Sequence, residues 1–389
     1  RSDFAIVATL ISQAANVPDA LKRYIDLAWR LAPTDPVIAL NACAIYFESG
    51  DMTAFDAVRQ RFQRGDYSLE QTGFALAVVE LAQDHYEEGF RLFEERYKMA
   101  EAPRYLNSGL FGLPRWQGED LATKHLLISA EQGLGDTIQM ARYLPELHRL
   151  GAAGMVMETQ PETLTLLQHN FPDIRMVERK YGIAPDLYFD RWIGAMSLPA
   201  LLGTSASKLP GQAGYLRVPP EAAEYWHTRV TELATANRPK IGLAWSGQPS
   251  HRADRRRSIP FAQMMKAVRT SDATFFALQT HVPEIHPANL INVSDEMVTL
   301  ADTAALIAEM DWVITVDTSV VHLAGAIGKE AWLLLPYRYE WRWSLFGESN
   351  HWYDSVKVLR QQRLGDWDGV LADVFDRRLP QRRRQEKRQ

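Results

Sequence analysis

The stretch VITVDTSVVHLAGAIGKEAWLLLP, residues 313–336, decides how this sequence is interpreted. An apolar run at 312–316 ends in a polar turn, a helical pattern carrying His322 follows, and a second apolar run begins at Ala331. This order predicts a strand, a turn, a short helix and a second, parallel strand. Open α/β sheets bind ligands where their strands end, and helix N-termini attract phosphate there. Because the turn lacks the GxGxxG of a dinucleotide fold, the sequence predicts a phosphorylated ligand that need not be NAD.

The composition is typical of a globular protein. The chain has 389 residues, of which 46% are hydrophobic and 23% charged, and that length suits about two or three domains. Its single cysteine, Cys43, excludes an internal disulfide framework and a cysteine-based zinc site. No apolar run approaches the roughly 20 residues of a transmembrane helix, and no signal-peptide pattern opens the sequence. We therefore expect a cytoplasmic protein with no transmembrane segment.

Charge is distributed unevenly along the chain. The formal net charge is −5, but residues 377–389 alone carry seven Lys or Arg against one Glu, which leaves about −11 for the remainder. A basic tail can contact nucleic acid or acidic lipid, although a solvated, disordered end is commoner. Because the body is acidic and no basic-aromatic surface is indicated, we expect no nucleic-acid partner.

Patterning divides the chain into three structural parts and a tail. Residues 1–110 are predicted to be helical, and the helix breakers Gly50 and Gln83, thirty-three positions apart, suit helical hairpins of the size of TPR repeats. Such an array commonly presents a concave surface to a peptide or protein. A helical cap without a partner of its own explains the same pattern, and the sequence does not separate the two.

Residues 120–215 and 238–362 each alternate strand and helix, which predicts two Rossmann-like halves. The predicted strands lie at 124–130, 155–158, 175–177 and 187–189 in the first half, and at 240–245, 274–278, 312–316 and 331–335 in the second. Residues 210–237 form the predicted connection, and 363–389 the terminal segment with the basic tail. A cleft between the halves is the expected ligand site.

A glycine-rich turn, QGLGDT at 132–137, follows the first predicted strand. Its two glycines let the backbone approach a ligand closely, and Asp136 is placed to accept the proton of an attacking hydroxyl. Spacing alone favours a different role for Asp136, as a cap of the following helix. Glu131 is a second candidate base. We assign Gln132, Gly133 and Gly135 to the acceptor side of the site.

The loop SGQPSHRADRRRS at 246–258 follows a strand of the second half. It combines Ser246 and Gly247 with guanidinium groups, among them Arg255 and Arg257, which match phosphate oxygens and can stabilise a diphosphate leaving group. A solvated basic loop is an equally consistent interpretation. After the next strand, Gln279 is our guess for a contact with the nucleotide base.

The turn Asp317-Thr318-Ser319 begins a helix that carries His322 one turn later. Hydroxyls and amides at a helix start suit phosphate, and His322 would lie near the same ligand. The alternatives are that Asp317 only caps the helix and that His322 is a packed core residue. The aromatic segment 337–343 suits a base or sugar ring, and it suits simple packing equally well. No nucleophile elbow, Walker A, HExxH or metal-ligand spacing is present, so we expect neither a cofactor nor a metal.

Three of these motifs together carry a resemblance. The segments QGLGDTIQMARYLPEL at 132–147, SGQPSHRADRRRSIP at 246–260 and VDTSVVHLAGAIGKEAWLLLP at 316–336 resemble heptosyltransferase-type glycosyltransferases of family 9. The order of parts, with PRWQGEDL at 114–121 and YEEGFRLFEERY at 86–97, is similar to that of bacterial proteins joining TPR repeats to such a domain. The resemblance covers about residues 15–362.

The resemblance implies a GT-B fold, in which two Rossmann-like domains face a cleft and the second domain holds the nucleotide-sugar donor. It implies an inverting, metal-independent enzyme of hexosyl- or heptosyltransferase type, with Asp136 as its catalytic base. It also places Asp317, Thr318 and His322 in the donor-binding D-T-x-x-x-H turn. Ser319 stands where the heptosyltransferases usually have glycine, and Arg257 where they have a lysine that contacts the donor phosphates; arginine keeps the charge but changes the geometry.

Two further functions fit the same sequence. The chain could be a non-catalytic scaffold whose repeats bind a partner, or a GT-B sugar-nucleotide epimerase or hydrolase. In the transferase hypothesis the helical repeats guide an acceptor, either a protein or a surface glycan, because such arrays suit extended ligands.

Overall fold

The computed structural model describes residues 18–67, 69–98, 106–249, 254–337, 340–343 and 347–379. The chain forms two compact units. The first comprises Arg1–Arg104, Gly203–Ala206 and Arg338–Leu345, and the second comprises Tyr105–Leu202, Ser207–Tyr337 and Phe346–Gln389. Most of the basic tail, residues 380–389, lies outside the described residues.

The described part of the first unit is helical. It contains α1 (Pro18–Leu31), α2 (Pro36–Glu48), α3 (Met52–Gln63), α4 (Leu69–Ala82), α5 (Tyr86–Phe93) and a 3-10 turn at Glu94–Lys98. Asp35 and Asp51 start α2 and α3 because their carboxylates accept amide hydrogen bonds that the first helical turn leaves unmet.

Two helical hairpins of this unit close in the same way. Gly50 (φ +74°) follows α2 and Asp84 (φ +62°) follows α4, so equivalent left-handed residues are 34 positions apart. After each, the next amide donates to a carbonyl five residues back, at 2.9 Å for Asp51 to Tyr46 and 3.0 Å for His85 to Glu80. This closure ends a helix and turns the chain. A 34-residue period is that of TPR units, and the assignment to that class stays a prediction.

Part of the aromatic segment 337–343 packs in the first unit. The indole of Trp341 lies edge-on to Phe90, with ring centroids 5.9 Å apart, and 6.3 Å from Phe93. Trp341 is 6% exposed and Trp343 is fully buried. Of the two interpretations of these tryptophans, packing is therefore the one the structure shows.

The second unit contains two parallel sheets, and the α/β prediction for this part is confirmed. In the first sheet the strands are β1 (His125–Ser129), β2 (Gly154–Thr159), β3 (Arg175–Glu178) and β4 (Arg191–Gly194), in the order β3-β2-β1-β4. Its helices are α6 (Leu134–Ala141), α7 (Leu144–Arg149), α8 (Leu164–Asn170) and α9 (Leu198–Leu201).

The second sheet has the order β10-β9-β8-β5-β6-β7. Its strands are β5 (Lys240–Ala244), β6 (Thr274–Ala277), β7 (Leu290–Ile291), β8 (Trp312–Val316), β9 (Ala331–Leu335) and β10 (Val356–Arg360). Its helices are α10 (Pro220–Leu233), α11 (Asp254–Arg257), α12 (Phe261–Arg269), α13 (Leu300–Glu309), α14 (Ser319–Ala326) and α15 (Trp367–Ala372). Every residue of β8 and β9 is buried, as continuous apolar runs in parallel sheets usually are.

The connection between the halves runs over the end of α14. The amides of Tyr215 and Leu216 both donate to the Ala326 carbonyl, at 2.7 and 2.9 Å. Gly214 (φ +109°) and Gly328 (φ +74°) lie so close that a Cβ on Gly214 would be 3.0 Å from the Gly328 nitrogen. Glycine at both positions therefore lets the connection attach to the second half.

Three sequence predictions of elements were wrong. No strand forms at 187–189; the first sheet is completed by β4 instead, because the Asp190 carboxylate accepts from the His125 amide at 2.8 Å and aligns the chain only from there. The second sheet does not end with β9, since β10 pairs with it from Val356 to Arg360. The single helix predicted after the QGLGDT turn is divided into α6 and α7, with Pro145 in the first turn of α7.

Within the described residues, none of the helices has the length and apolar character needed to cross a bilayer.

Candidate functional site

The turn between β1 and α6 carries the candidate base. Gln132 has a left-handed backbone (φ +59°), which lets the chain leave β1 and enter α6 within a few residues. The carboxylate of Asp136 accepts a hydrogen bond from the Gly133 amide at 2.7 Å. Asp136 therefore stabilises the start of α6, the role that spacing alone favoured, and its half-buried carboxylate remains at the turn.

Gln160, which follows β2, holds this turn in place. Its amide nitrogen donates to the Gln132 carbonyl at 3.3 Å, and its amide oxygen accepts from the Thr137 hydroxyl at 2.8 Å. The alternative base, Glu131, is only 2% exposed and accepts from the Met196 amide at 3.3 Å. Its carboxylate is thus directed into the first half, whereas that of Asp136 is on the turn.

His322 of the second half lies directly against this turn. A Cβ added to Gly135 would be 2.6 Å from Cδ2 and 3.3 Å from Nε2 of the imidazole. The helices that carry the two residues, α6 and α14, are therefore in contact, and only a residue without a side chain fits at position 135. The structure thus places His322 of α14 against the turn that carries Asp136.

The imidazole is buried and held from its other side by Tyr353. His322 is 4% exposed, and its Nδ1 lies 3.0 Å from the Tyr353 hydroxyl. The Tyr353 ring rests on α14 at Gly325, where any Cβ would collide with it. Tyr353 was not predicted from the sequence, where the adjacent pair Trp352-Tyr353 was the available signal.

A buried guanidinium adjoins this pair. Arg142, directly after α6, is 1% exposed, and its Cζ lies 4.9, 5.1 and 4.8 Å from the ring centroids of Tyr215, Trp352 and Tyr353. It donates to the carbonyls of Gln139 and Trp352, at 3.1 and 2.9 Å. Burial raises the pKa of the Tyr215 and Tyr353 hydroxyls, so both stay protonated. Arg142 was not predicted from the sequence either, although a charge inside an apolar helical pattern was visible.

The turn between β8 and α14 is a helix start, as predicted. Thr318 is the N-cap of α14, and its hydroxyl accepts from the Val320 amide at 3.3 Å. Ser319 is the first residue of α14, and both it and Asp317 are half-buried. The N-terminal amides of α14 therefore lie one helical turn from His322, an arrangement that favours an anion.

Arg257 connects the basic loop to this turn. Its Nη1 donates to the Asp317 carbonyl at 2.8 Å, and its Nε lies 3.4 Å from Asp254. A Cβ on Gly247 would be 2.6 Å from the Asp254 carboxylate and would collide with the Arg257 guanidinium. Arg257 and Gly247 thus belong to the candidate site. Arg255 is exposed, which keeps the solvated interpretation open for that residue, and 250–253 lie outside the described residues.

Gln279 braces the end of β5. Its side-chain oxygen accepts from the Trp245 and Ser246 amides at 2.9 and 2.8 Å, and its nitrogen donates to the Ser246 carbonyl at 3.1 Å. This pairing aligns the carboxyl ends of β5 and β6. In this structure Gln279 orients Ser246, and its suggested contact with a nucleotide base stays a prediction.

A second buried carboxylate lies in the first half at the end of β2. Glu158 is 1% exposed and accepts from the Ser129 hydroxyl at 2.5 Å and from the Asn107 amide at 2.9 and 3.2 Å. Burial raises its pKa, and these hydrogen bonds together with the Arg179 charge oppose the rise. Asn107 also donates to the Ile183 carbonyl at 3.1 Å, so this cluster fastens two loops to the sheet. Among the residues described, no three His, Cys, Asp or Glu side chains are grouped as a metal site would require.

Comparison with known proteins gives one similar sequence and several similar structures. No family model matches the chain. Protein FlbA of Caulobacter vibrioides is 27% identical over 401 aligned positions, which cover 94% of this chain and 65% of FlbA. The chain thus spans about two thirds of that relative's length.

The similar structures include ADP-heptose lipopolysaccharide heptosyltransferase II of Escherichia coli, with 15% identity, 64% of this chain and 97% of that chain covered, and a TM-score of 0.43. They also include the iron-containing dodecameric glycosyltransferase TibC of enterotoxigenic E. coli, with 13% identity, 65% and 67% coverage, and a TM-score of 0.44. TM-scores of this size do not establish a common fold, so the architecture described above stands on the strands and helices of this chain.

Proposed function

We propose that this chain is a glycosyltransferase that moves a sugar from a nucleotide-diphosphate sugar to an acceptor hydroxyl. One observation carries the proposal: the imidazole of His322 lies against Gly135, so the acidic turn of one half meets α14 of the other. The three sequence motifs that resemble family 9 glycosyltransferases contribute these two turns and the adjoining Arg257.

The proposed reaction is an inverting displacement. The acceptor hydroxyl oxygen forms a bond to the anomeric carbon, and the bond from that carbon to the diphosphate oxygen breaks. The electron pair leaves with the nucleotide diphosphate, and the acceptor proton passes to the Asp136 carboxylate. The hydrogen bond from the Gly133 amide orients the Asp136 carboxylate and is compatible with its role as the base.

The departing diphosphate needs positive charge and hydrogen-bond donors. Arg257 supplies a guanidinium fixed by the Asp317 carbonyl, and the amides of Thr318 and Ser319 at the start of α14 supply hydrogen-bond donors. Preorganised donors of this kind stabilise a leaving group's charge without reorganising during the reaction. His322 holds the donor beside the first half. We further propose that the helical hairpins of the first unit present a protein or glycan acceptor.

Isothermal titration with ADP, GDP, UDP and dTDP tests the donor site. At least one should bind, and His322→Ala and Thr318→Ala should weaken it. Thr318→Ser is the matched control, because it keeps the capping oxygen and should retain most of the affinity. No measurable binding of any of the four up to about 1 mM, a free energy near −4 kcal/mol, would instead support the non-catalytic scaffold.

Incubation of the matching nucleotide sugar without an acceptor separates transfer from hydrolysis. Slow nucleotide release, accelerated by an acceptor glycan or protein, supports the transferase. Rapid release without an acceptor supports the hydrolase alternative.

A further inference from the structure

The contacts of Tyr353 indicate a task for this residue beyond packing. We infer that Tyr353 is a positioning residue for His322, and that its hydroxyl fixes the imidazole with the Nε2 edge toward the β1–α6 turn. This inference rests on the proposed function and adds a residue to its site. Only the second of the two experiments below requires that function to be correct.

The two edges of the imidazole have different neighbours. Nδ1 is 3.0 Å from the Tyr353 hydroxyl. The opposite edge, Cδ2 and Nε2, faces Gly135, where an added Cβ would be 2.6 and 3.3 Å away. Rotating the ring by half a turn would place a carbon against the hydroxyl and forfeit the hydrogen bond. The hydroxyl therefore selects which nitrogen lies on the side of Gly135.

Tyr353 is itself held firmly. Its amide donates to the Asn350 side-chain oxygen at 2.9 Å, and its carbonyl accepts from the Asn350 side-chain nitrogen at 3.2 Å. The ring rests on Gly325, and the Arg142 guanidinium lies 4.8 Å from its centroid. A group fixed on this many sides can impose one orientation on its partner.

Tyr353 also lies where the two halves meet beside His322. Arg142 belongs to the first half and donates to the Trp352 carbonyl, one residue before Tyr353, at 2.9 Å. Tyr215, in the connection, donates its hydroxyl proton to the Ile138 carbonyl of α6 at 2.7 Å. The residues around Tyr353 are thus the ones that seat α6 against the second half.

The first experiment needs no ligand. Nitrogen-15 NMR of the histidine rings, with His322 assigned by its loss in His322→Ala, reports the tautomer in the intact chain. We expect one tautomer in the native protein and a mixture, or the other tautomer, in Tyr353→Phe. Tyr225→Phe is the matched control, because it removes a different hydroxyl, bonded to Glu296 at 2.8 Å, and should leave the His322 signal unchanged. An unchanged tautomer in Tyr353→Phe would overturn the inference.

The second experiment measures affinity for the nucleotide diphosphate that binds most tightly. Tyr353→Phe should weaken binding by about fivefold, the equivalent of one hydrogen bond, and should have no further effect in the His322→Ala background. An equal loss in both backgrounds would assign Tyr353 a general structural role and refute the inference. If the native protein binds none of the nucleotides, the proposed function fails, while the NMR result still decides the role of Tyr353.

Discussion

Replacing Gly135 with alanine places a methyl group where the edge of His322 lies. The backbone of Gly135 is not in the left-handed region, so alanine itself is compatible with the local conformation. In the absence of His322, the substitution would favour α6 by about 0.5 to 1 kcal/mol, because alanine loses less entropy in a helix. Any destabilisation by the mutation therefore has to come from the contact with the imidazole.

The size of the destabilisation by Gly135→Ala follows from the distances between the new Cβ and the His322 ring. The new Cβ would be 2.6 Å from Cδ2 of His322, about 1 Å inside an ordinary carbon–carbon contact. The imidazole is buried and bonded to Tyr353, so it cannot move away without losing that hydrogen bond. Overpacking of this kind costs about 1 to 3 kcal/mol. After the gain in helix propensity, we expect Gly135→Ala to lower the free energy of unfolding by about 1 kcal/mol.

A double-mutant cycle isolates the contact. The unfolding free energy is measured by denaturant titration for the native protein, Gly135→Ala, His322→Ala and the double variant. In the His322→Ala background the methyl group has room, so Gly135→Ala should be neutral or stabilising. A stabilising effect in the native background, or an equal cost in both, would show that His322 does not lie on the turn, and the shared site would be refuted.

Three further predictions concern the same unit. Asp136→Asn should abolish sugar transfer while nucleotide-diphosphate affinity, measured by titration calorimetry, stays within a few fold; unaltered turnover would exclude Asp136 as the base. Gly325→Ala should destabilise the chain by about 1 to 3 kcal/mol, because its Cβ would collide with the Tyr353 ring, and a neutral result in denaturant titration would contradict the seating of that ring. Burial raises the folded-state pKa of Glu158 above 4.5, so the folded protein holds this proton more tightly than the unfolded chain does. The contribution of Glu158 to the free energy of unfolding therefore falls as pH rises from 4.5 through the raised pKa. Relative to the native protein, Glu158→Gln should therefore gain stability between pH 4 and pH 8 in denaturant titrations, and a difference independent of pH would contradict this.

Much of the fold could be predicted from local sequence. Buried parallel strands are continuous apolar runs, so β1, β5, β8 and β9 were found to within about a residue at each end. Strand β10 was missed because its pattern, Val-Lys-Val-Leu-Arg, alternates in part and resembles an exposed segment. The segment 187–189 was predicted as a strand although the sheet begins only after Asp190, and that boundary depends on a hydrogen bond to a residue 65 positions away.

The candidate site was predicted in part. Turn chemistry located Asp136, Thr318 and His322, because hydrogen-bonding residues at strand ends stand out against apolar runs. Arg142 and Tyr353, which lie behind His322, had only weak local signals: a charge in an apolar helical pattern and an adjacent Trp-Tyr pair. The role of the buried Arg142 depends on the aromatic rings around it, which come from distant positions, 215, 352 and 353.

The sequence by itself determined the parallel α/β halves, the helical first unit and the chemistry available at each strand end. These follow from periodicity and turn residues, which act over a few positions along the chain. Only the tertiary structure decided that the edge of His322 rests on Gly135 and that Tyr353 fixes its orientation. These contacts join residues 31 to 187 positions apart. They exist because Gly135 leaves room for the His322 ring and Gly325 for the Tyr353 ring, and local sequence does not reveal either pairing.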